Sequence, residues 1–198
     1  MKAKAIEGTI RDTSGKKSAK NIRREGMVPC VIYGGEETVH FSTPLAALRP
    51  LINTPDFNTV SITIDGKSYN TIIKTFQEHP VTDKIMHVDF QELVEDRPIY
   101  IQLPVRLKGL AVGVKNGGKL MLKMRYLKVK ALPKDLVSEI EVNVSHLEVG
   151  KSVRVQSVNI EGIQIMNAPA APIASVDITR ALKSAAAAAA KEEKKAAK

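Results

Sequence analysis

Val60-Ser61-Ile62-Thr63-Ile64-Asp65-Gly66, followed by Tyr69-Asn70-Thr71-Ile72-Ile73-Lys74-Thr75-Phe76, is the stretch that decides the fold class. Apolar and polar residues alternate over positions 60–64, the period of a strand with one face on a core. Asp65-Gly66 is a two-residue hairpin turn signal, and residues 69–76 return as the partner strand. After the break at His79-Pro80 the alternation resumes over 85–91, with Met86, Val88 and Phe90 on one face and His87, Asp89 and Gln91 on the other. Upstream, residues 3–10 read as a first strand. Pro29-Cys30-Val31-Ile32-Tyr33 reads as another, ended by Gly34-Gly35.

Two short helices interrupt this pattern. Residues 16–25 form the first, closed by Gly26 as a C-cap. On it Lys16, Lys20 and Arg23 or Arg24 recur at offsets of three and four and share a face, while Ala19 and Ile22 point inward. Ser42-Thr43-Pro44 opens the second, with proline at its first position, through Leu45, Leu48 and Leu51. Residues 95–98, Glu-Asp-Arg-Pro, mark a change of pattern. Beyond them Ile99, Ile101, Leu103, Val105 and Leu107 hold one strand face, Asn116-Gly117-Gly118 signals a turn, and further alternation runs at 125–132, 140–144, 153–155, 163–166 and 173–178. The expected fold is therefore mostly β with short helices. Residues 1–94 form one domain, 95–180 an all-β second domain, and 181–198 a basic Ala/Lys tail of high helix propensity without an apolar stripe.

Composition narrows the class. The 198 residues are 43% hydrophobic and 26% charged, enough apolar mass for real cores. Aromatic residues are only 4% and tryptophan is absent, so those cores are aliphatic. The single cysteine, Cys30, excludes an internal disulfide and any multi-cysteine zinc or iron-sulfur site. Among Val28, Val31 and Ile32 it reads as a small buried hydrophobe. No run has signal-peptide character and none has 18 continuous apolar residues. The expectation is a soluble cytoplasmic protein without a membrane partner.

Thirty basic against 21 acidic side chains leave a formal charge of +9, unevenly distributed. Positions 11–24 carry Arg11, Lys16, Lys17, Lys20, Arg23 and Arg24 against Asp12 alone, whereas positions 51–100 carry four basic and eight acidic residues. Such a basic segment beside a folded region fits a polyanion-binding surface, since phosphate contacts release counterions and steer association. It also fits a solvated face, contact with an acidic protein, or a membrane surface, although bulky apolar anchors for the last are missing.

His87 and Asp89 are two residues apart on one strand face, close enough for their side chains to meet. The pair suits a proton-transfer dyad, a hydrogen-bonding pair against a nucleic-acid base or sugar, or a structural role; no nucleophile or third catalytic member accompanies it. His40, His79 and His146 share no metal-ligand spacing with His87, and the glycine pairs lack a phosphate-loop pattern. Tyr33 suits stacking or a sugar-phosphate hydrogen bond, or equally a core aromatic at a barrel edge.

Arg11 to Gly15, Lys16, Lys20, Arg23-Arg24-Glu25-Gly26, Val28-Pro29-Cys30-Val31-Ile32-Tyr33-Gly34 and His79-Pro80-Val81-Thr82-Asp83-Lys84-Ile85-Met86-His87-Val88-Asp89-Phe90 closely resemble the bacterial 5S-rRNA-binding protein family of the large ribosomal subunit. The resemblance is to its long two-domain form, also called general stress protein CTC. It extends through Gly113-Val114-Lys115-Asn116-Gly117-Gly118, Leu132-Pro133 and residues 140–150, covering about residues 3–180. It implies an N-terminal barrel-like β domain docking on 5S rRNA, with large-subunit rRNA and neighbouring ribosomal proteins as further partners. Neither catalysis, a cofactor, a metal nor a small-molecule substrate is implied.

Carried over by position, Arg11, Lys16, Lys20, Arg23, Tyr33, His87 and Asp89 are the implied RNA-contacting set. Lys16, Lys20 and Arg23 would position phosphates, and Arg11 would reach phosphate or a base edge. Tyr33 would sit against backbone or sugar, while His87 and Asp89 would make directed hydrogen bonds in a groove widened by irregular pairs. The chain departs from the family at Lys20 and Asn21, where arginines are usual; Lys20 keeps the charge but not the bidentate fork. The function expected is a structural constituent that anchors 5S rRNA. The alternative is a stress-associated protein-interaction module with secondary RNA binding.

Overall fold

The computed structural model describes residues 3–11, 15–180 and 184. The tail expected over 181–198 lies outside these apart from Ser184, as does the expected turn at Asp12, Thr13 and Ser14. The chain divides into two units, Met1–Ile101 with Lys130–Ser138, and Gln102–Val129 with Glu139–Lys198.

In the first unit the elements run β1 (Ala3–Ile10), α1 (Lys16–Arg24), β2 (Met27–Tyr33), β3 (Val39–Pro44), α2 (Leu45–Ile52), β4 (Thr59–Ile64), β5 (Lys67–Glu78) and β6 (Ile85–Glu92). The six strands close into a barrel in the order β1-β3-β2-β6-β5-β4. Antiparallel pairs are joined by two parallel ones, β1 with β4 and β2 with β6. The hairpin read from sequence is present: Asp65 and Gly66 both take positive φ, 46° and 82°, and Val60 faces Thr71 across β4 and β5. Strand β5 is longer than its alternation suggested, and its pairing with β6 shifts between Ile73 and Thr75.

Inward alternation supplies the core. Ile6, Cys30, Ile32, Phe41, Ile62, Ile64, Val88 and Phe90 are buried, joined by Leu48 and Leu51 from α2. Phe41 and Phe90 meet as tilted rings with centroids 5.7 Å apart. The buried hydroxyls are paired: Thr43 Oγ1 donates to Glu7 O at 2.8 Å, Thr71 Oγ1 to Val60 O at 3.0 Å, and Ser42 Oγ shares a 3.0 Å hydrogen bond with Thr9 Oγ1. Burial without such partners would cost each group its desolvation.

One local reading is corrected. Ser42, Thr43 and Pro44 end strand β3 and do not form a capping turn; Pro44 itself is the N-cap residue of α2, which has no side-chain cap. Thr43 is spent instead on Glu7, so a barrel hydrogen bond takes precedence over the helix cap.

The second unit is nearly all strand, as expected. It contains most of β7 (Ile99–Lys108), then α3 (Val112–Lys115), β8 (Lys119–Leu122), most of β9 (Tyr126–Ala131), β10 (Ile140–Asn143), β11 (Ser152–Arg154), β12 (Ile163–Ile165) and β13 (Pro172–Asp177); Ile99 to Ile101 and Lys130 to Ala131 fall to the first unit. These form a four-stranded sheet, β10-β7-β9-β12, and a three-stranded sheet, β11-β13-β8. Leu103, Leu127, Val129, Val142, Val144, Ile173 and Val176 are buried.

Gly8 on β1 is required by the close approach of the Phe41 ring: a Cβ there would lie 2.5 Å from Phe41 Cδ2. The ring is fully buried and has no room to move aside. Gly8→Ala should lower the unfolding free energy by about 1–3 kcal/mol in urea titrations. Val81→Ala, at a side chain 82% exposed, should stay within about 0.5 kcal/mol.

Candidate nucleic-acid interface

Helix α1 sits between β1 and β2 in sequence and packs against β2. At 100° per residue, Ser18, Ala19, Ile22 and Arg23 fall on one side and are half-buried, while Lys16, Lys17, Lys20, Asn21 and Arg24 fall on the other and are exposed. The helix ends as read from sequence, with Gly26 at φ 79°. Arg23 and Arg24 lie in its last turn, where positive charge complements the free carbonyls.

The structure separates the two arginines. Arg24 shares the exposed cationic face with Lys16 and Lys20. Arg23 turns toward the barrel, where its Nε donates to Met86 O of β6 at 3.0 Å. That hydrogen bond ties the basic helix to the strand that carries His87 and Asp89.

On β6, Val88 and Phe90 point into the core and His87 and Asp89 point out. His87 Nδ1 lies 2.7 Å from Asp89 Oδ1, with each side chain 29% exposed. Since the carboxylate can only accept, Nδ1 carries the proton and Nε2 of the neutral ring is left as an outward acceptor. Protonation turns Nε2 into a second donor.

Parallel pairing aligns Val31 with Asp89 and Tyr33 with Gln91. Ile32 and Cys30 fill the core, so Tyr33 stands partly exposed on the outer side of β2, not in the core. Burial, and secondly the negative charge of Asp89, push the Tyr33 phenol above its usual range. It therefore stays protonated and able to donate. Arg11 follows β1, and its backbone N–H donates to His40 O of β3 at 3.0 Å.

The outer side of β3, β2 and β6 thus carries Tyr33, His87 and Asp89, with Arg11 at its β1 margin and Arg23 joining it from α1. Lys16 and Lys20 stand on the solvent side of the helix and make no ion pair with described residues. The surface has members that sequence alone did not single out. Gln77 on β5 faces His87, and Thr75 faces Asp89. The register shift after Ile73 sets these two partners, and nothing local announces it.

Other sequence candidates have structural duties. Cys30 is 1% exposed, and burial pushes its thiol up to about 12. His79 Nδ1 accepts from the N–H groups of Val81 and Thr82, both at 3.3 Å, and so organises the turn before β6. Beyond the C-terminal end of β2 a cleft of about 770 Å³ is lined by residues including Glu36, Glu37, Lys67, Tyr69, Glu92 and Arg97; none of the seven candidates lines it, and its three carboxylates outnumber its two cations. Among the described residues there is no group of three or more side chains able to hold a metal, and no helix is long and apolar enough to cross a membrane.

Comparison with known proteins gives a consistent pattern. A family described as the Ribosomal L25p family matches residues 6–90, and one described as Ribosomal protein TL5, C-terminal domain, matches residues 98–180. The chain is 47% identical over 191 residues to a large ribosomal subunit protein bL25 from Bacteroides fragilis, an alignment covering 94% of this chain and 97% of that protein. It is 46% identical over 191 residues to the bL25 of Bacteroides thetaiotaomicron, with the same coverage, and 44% identical over 188 residues to that of Porphyromonas gingivalis, covering 94% and 98%.

A thiol pushed from 9.0 to about 12 is almost wholly protonated in the native protein at pH 8. Three pH units correspond to a thiolate population roughly 1000-fold below that of the unfolded chain. Iodoacetamide should therefore leave Cys30 unlabelled under native conditions and label it rapidly in urea. Because the folded value exceeds the unfolded one, this thiol's contribution to stability is complete below pH 9 and is lost as pH climbs toward 12. Native labelling as fast as that in urea would contradict the burial.

Proposed function

The chain belongs to the Ribosomal L25p family, and from that membership and the outer face of its barrel we propose that it binds 5S rRNA and anchors it in the large ribosomal subunit. It is a structural RNA-binding protein of the cytoplasmic ribosome, not an enzyme. The observation that carries the proposal is the hydrogen bond from Arg23 to Met86 O, which holds a cationic helix beside the His87–Asp89 pair. One barrel face then offers both attraction and directed hydrogen bonds.

The roles divide by chemistry. Lys16 and Lys20 neutralise phosphates and set the salt dependence. Arg23, with its Nε occupied, has its terminal nitrogens left for phosphate, and Arg11 lies at the margin for phosphate or a base edge. Tyr33 donates its hydroxyl to sugar or phosphate. His87 and Asp89 read base edges in a groove widened by non-Watson-Crick pairs, Asp89 accepting from an exocyclic amino group and His87 offering Nε2. Residues 1–94 are the proposed 5S-binding domain, and residues 95–180 serve contacts with large-subunit rRNA or neighbouring ribosomal proteins.

The test is a titration of 5S rRNA and a helical control RNA with the full chain across a salt series. The parent chain should prefer 5S rRNA. Replacing both Lys16 and Lys20 with alanine should weaken both RNAs alike and flatten the log–log salt slope by roughly one to two. Replacing both His87 and Asp89 should remove the preference, about 10-fold or more, and leave the slope nearly unchanged. A parent chain that binds both RNAs equally would reduce this face to nonspecific attraction.

A further inference from the structure

His40 is absent from the set just assigned, yet the barrel register carries it onto the same face. In β3 the inward residue is Phe41, fully buried, and His40 beside it is exposed. Antiparallel pairing sets His40 opposite Val31, and parallel pairing sets Val31 opposite Asp89, which in turn faces Thr75. On the other side, β1 continues to Arg11, whose N–H meets His40 O. Arg11, His40, Val31, Asp89 and Thr75 therefore form one row across five neighbouring strands. At about 4.8 Å per strand, His40 lies roughly 10 Å from Asp89 and one strand from Arg11.

This spacing separates the two outward imidazoles chemically. His87 is committed through Nδ1 to Asp89, whereas the His40 ring has no hydrogen-bond or ion-pair partner among the described residues. Ten ångströms is about a Debye length at ordinary ionic strength, so Asp89 does not neutralise an imidazolium at position 40. Glu36 and Glu37 precede the strand of His40 and line the cleft before β3. Arg11 is its neighbour from β1, with Glu7 four positions back along that strand; Tyr33 is two positions along β2 from Val31. Arg49 of α2 lines a separate cleft with Glu78 and Asp83. A ring with both nitrogens uncommitted, one strand from Arg11 and roughly 10 Å from Asp89, suits an oxyanion.

We propose that His40 is a further RNA-contacting residue, its imidazolium engaging a backbone phosphate beside the one taken by Arg11. The proposal rests on the reading of this face as the 5S rRNA surface and adds to it a pH-dependent contact. Neutral His40 offers one donor; the protonated ring offers two donors and a charge, so affinity for RNA should rise as pH falls from 8 to 6.

The experiment is 5S rRNA binding by the full chain at pH 8.0 and pH 6.0, each across a salt series, for the parent, His40→Ala and His40→Lys. His79, His87 and His146 are common to all three proteins, so differences from the parent isolate position 40. His40→Ala should weaken binding about 3- to 10-fold at pH 6.0, with a salt slope shallower by nearly one, and less than twofold at pH 8.0. His40→Lys should bind more tightly than the parent at pH 8.0 and like it at pH 6.0. A His40→Ala protein matching the parent at pH 6.0, or weakened equally at both pH values, overturns the phosphate contact. The parent's own preference for 5S rRNA over the helical control distinguishes that failure from failure of the functional reading: preference retained leaves the reading standing, and preference absent removes it.

Discussion

The parallel pairing of β1 with β4, six residues in register from Ala3 against Thr59 to Gly8 against Ile64, is the constraint on which the N-terminal unit depends. Without it the sheet would end in two unpaired edges, each a row of backbone groups open to foreign strands. With it the inward residues of six strands meet around Phe41 and Phe90 and leave water. Closure also fixes where β1 ends. Arg11 comes to lie against β3, while α1 packs on β2.

Helix α1 depends on that wall. It has nine residues, no buried side chain and no side-chain N-cap, and helices shorter than about 12 residues are marginal alone in water. Its own charge opposes it, since Lys16, Lys17, Lys20 and Arg24 repel one another on the exposed face. Half-burial of Ala19 and Ile22 and the Arg23 bond to Met86 O offset this repulsion. The basic face is thus a tertiary product: its residues are local, but its persistence as a helix depends on the barrel.

Much of this was legible in sequence because alternation and turn chemistry are local. The alternation of β1 gives its observed bounds, Asp65-Gly66 announces the β4–β5 hairpin, and Gly26 the end of α1. Strand β3 has no such signal, because Ser42-Thr43-Pro44 is ordinary helix-opening chemistry and only the nonlocal bond from Thr43 to Glu7 reveals its other use. The choice between Arg23 and Arg24 turned on a side-chain contact 63 residues away. Spacing placed His87 beside Asp89, but which strands flank them follows from barrel order, in which β2 meets β6 across more than 50 residues of intervening chain. Whatever depended on register across distant strands, Gln77, Thr75 and His40 included, had no local signature.

A carboxylate on an otherwise cationic face is the feature that attraction alone does not explain. Asp89 repels phosphate, and an outward alanine there would bind a polyanion more readily in purely Coulombic terms. Its contribution is orientation. By accepting from His87 Nδ1 at 2.7 Å it fixes the ring and the tautomer, and its second oxygen is left to take one donor of matching geometry. Partial burial of both groups strengthens that hydrogen bond relative to one in open water. On the proposed interface, attraction and register are therefore borne by different elements: the helix supplies a charge that any polyanion satisfies and salt screens, and the strand supplies two fixed acceptors, the second Asp89 oxygen and His87 Nε2, that few nucleic-acid surfaces match. In the proposed role, joining the two through Arg23 is what lets a generally sticky helix favour one RNA shape over another.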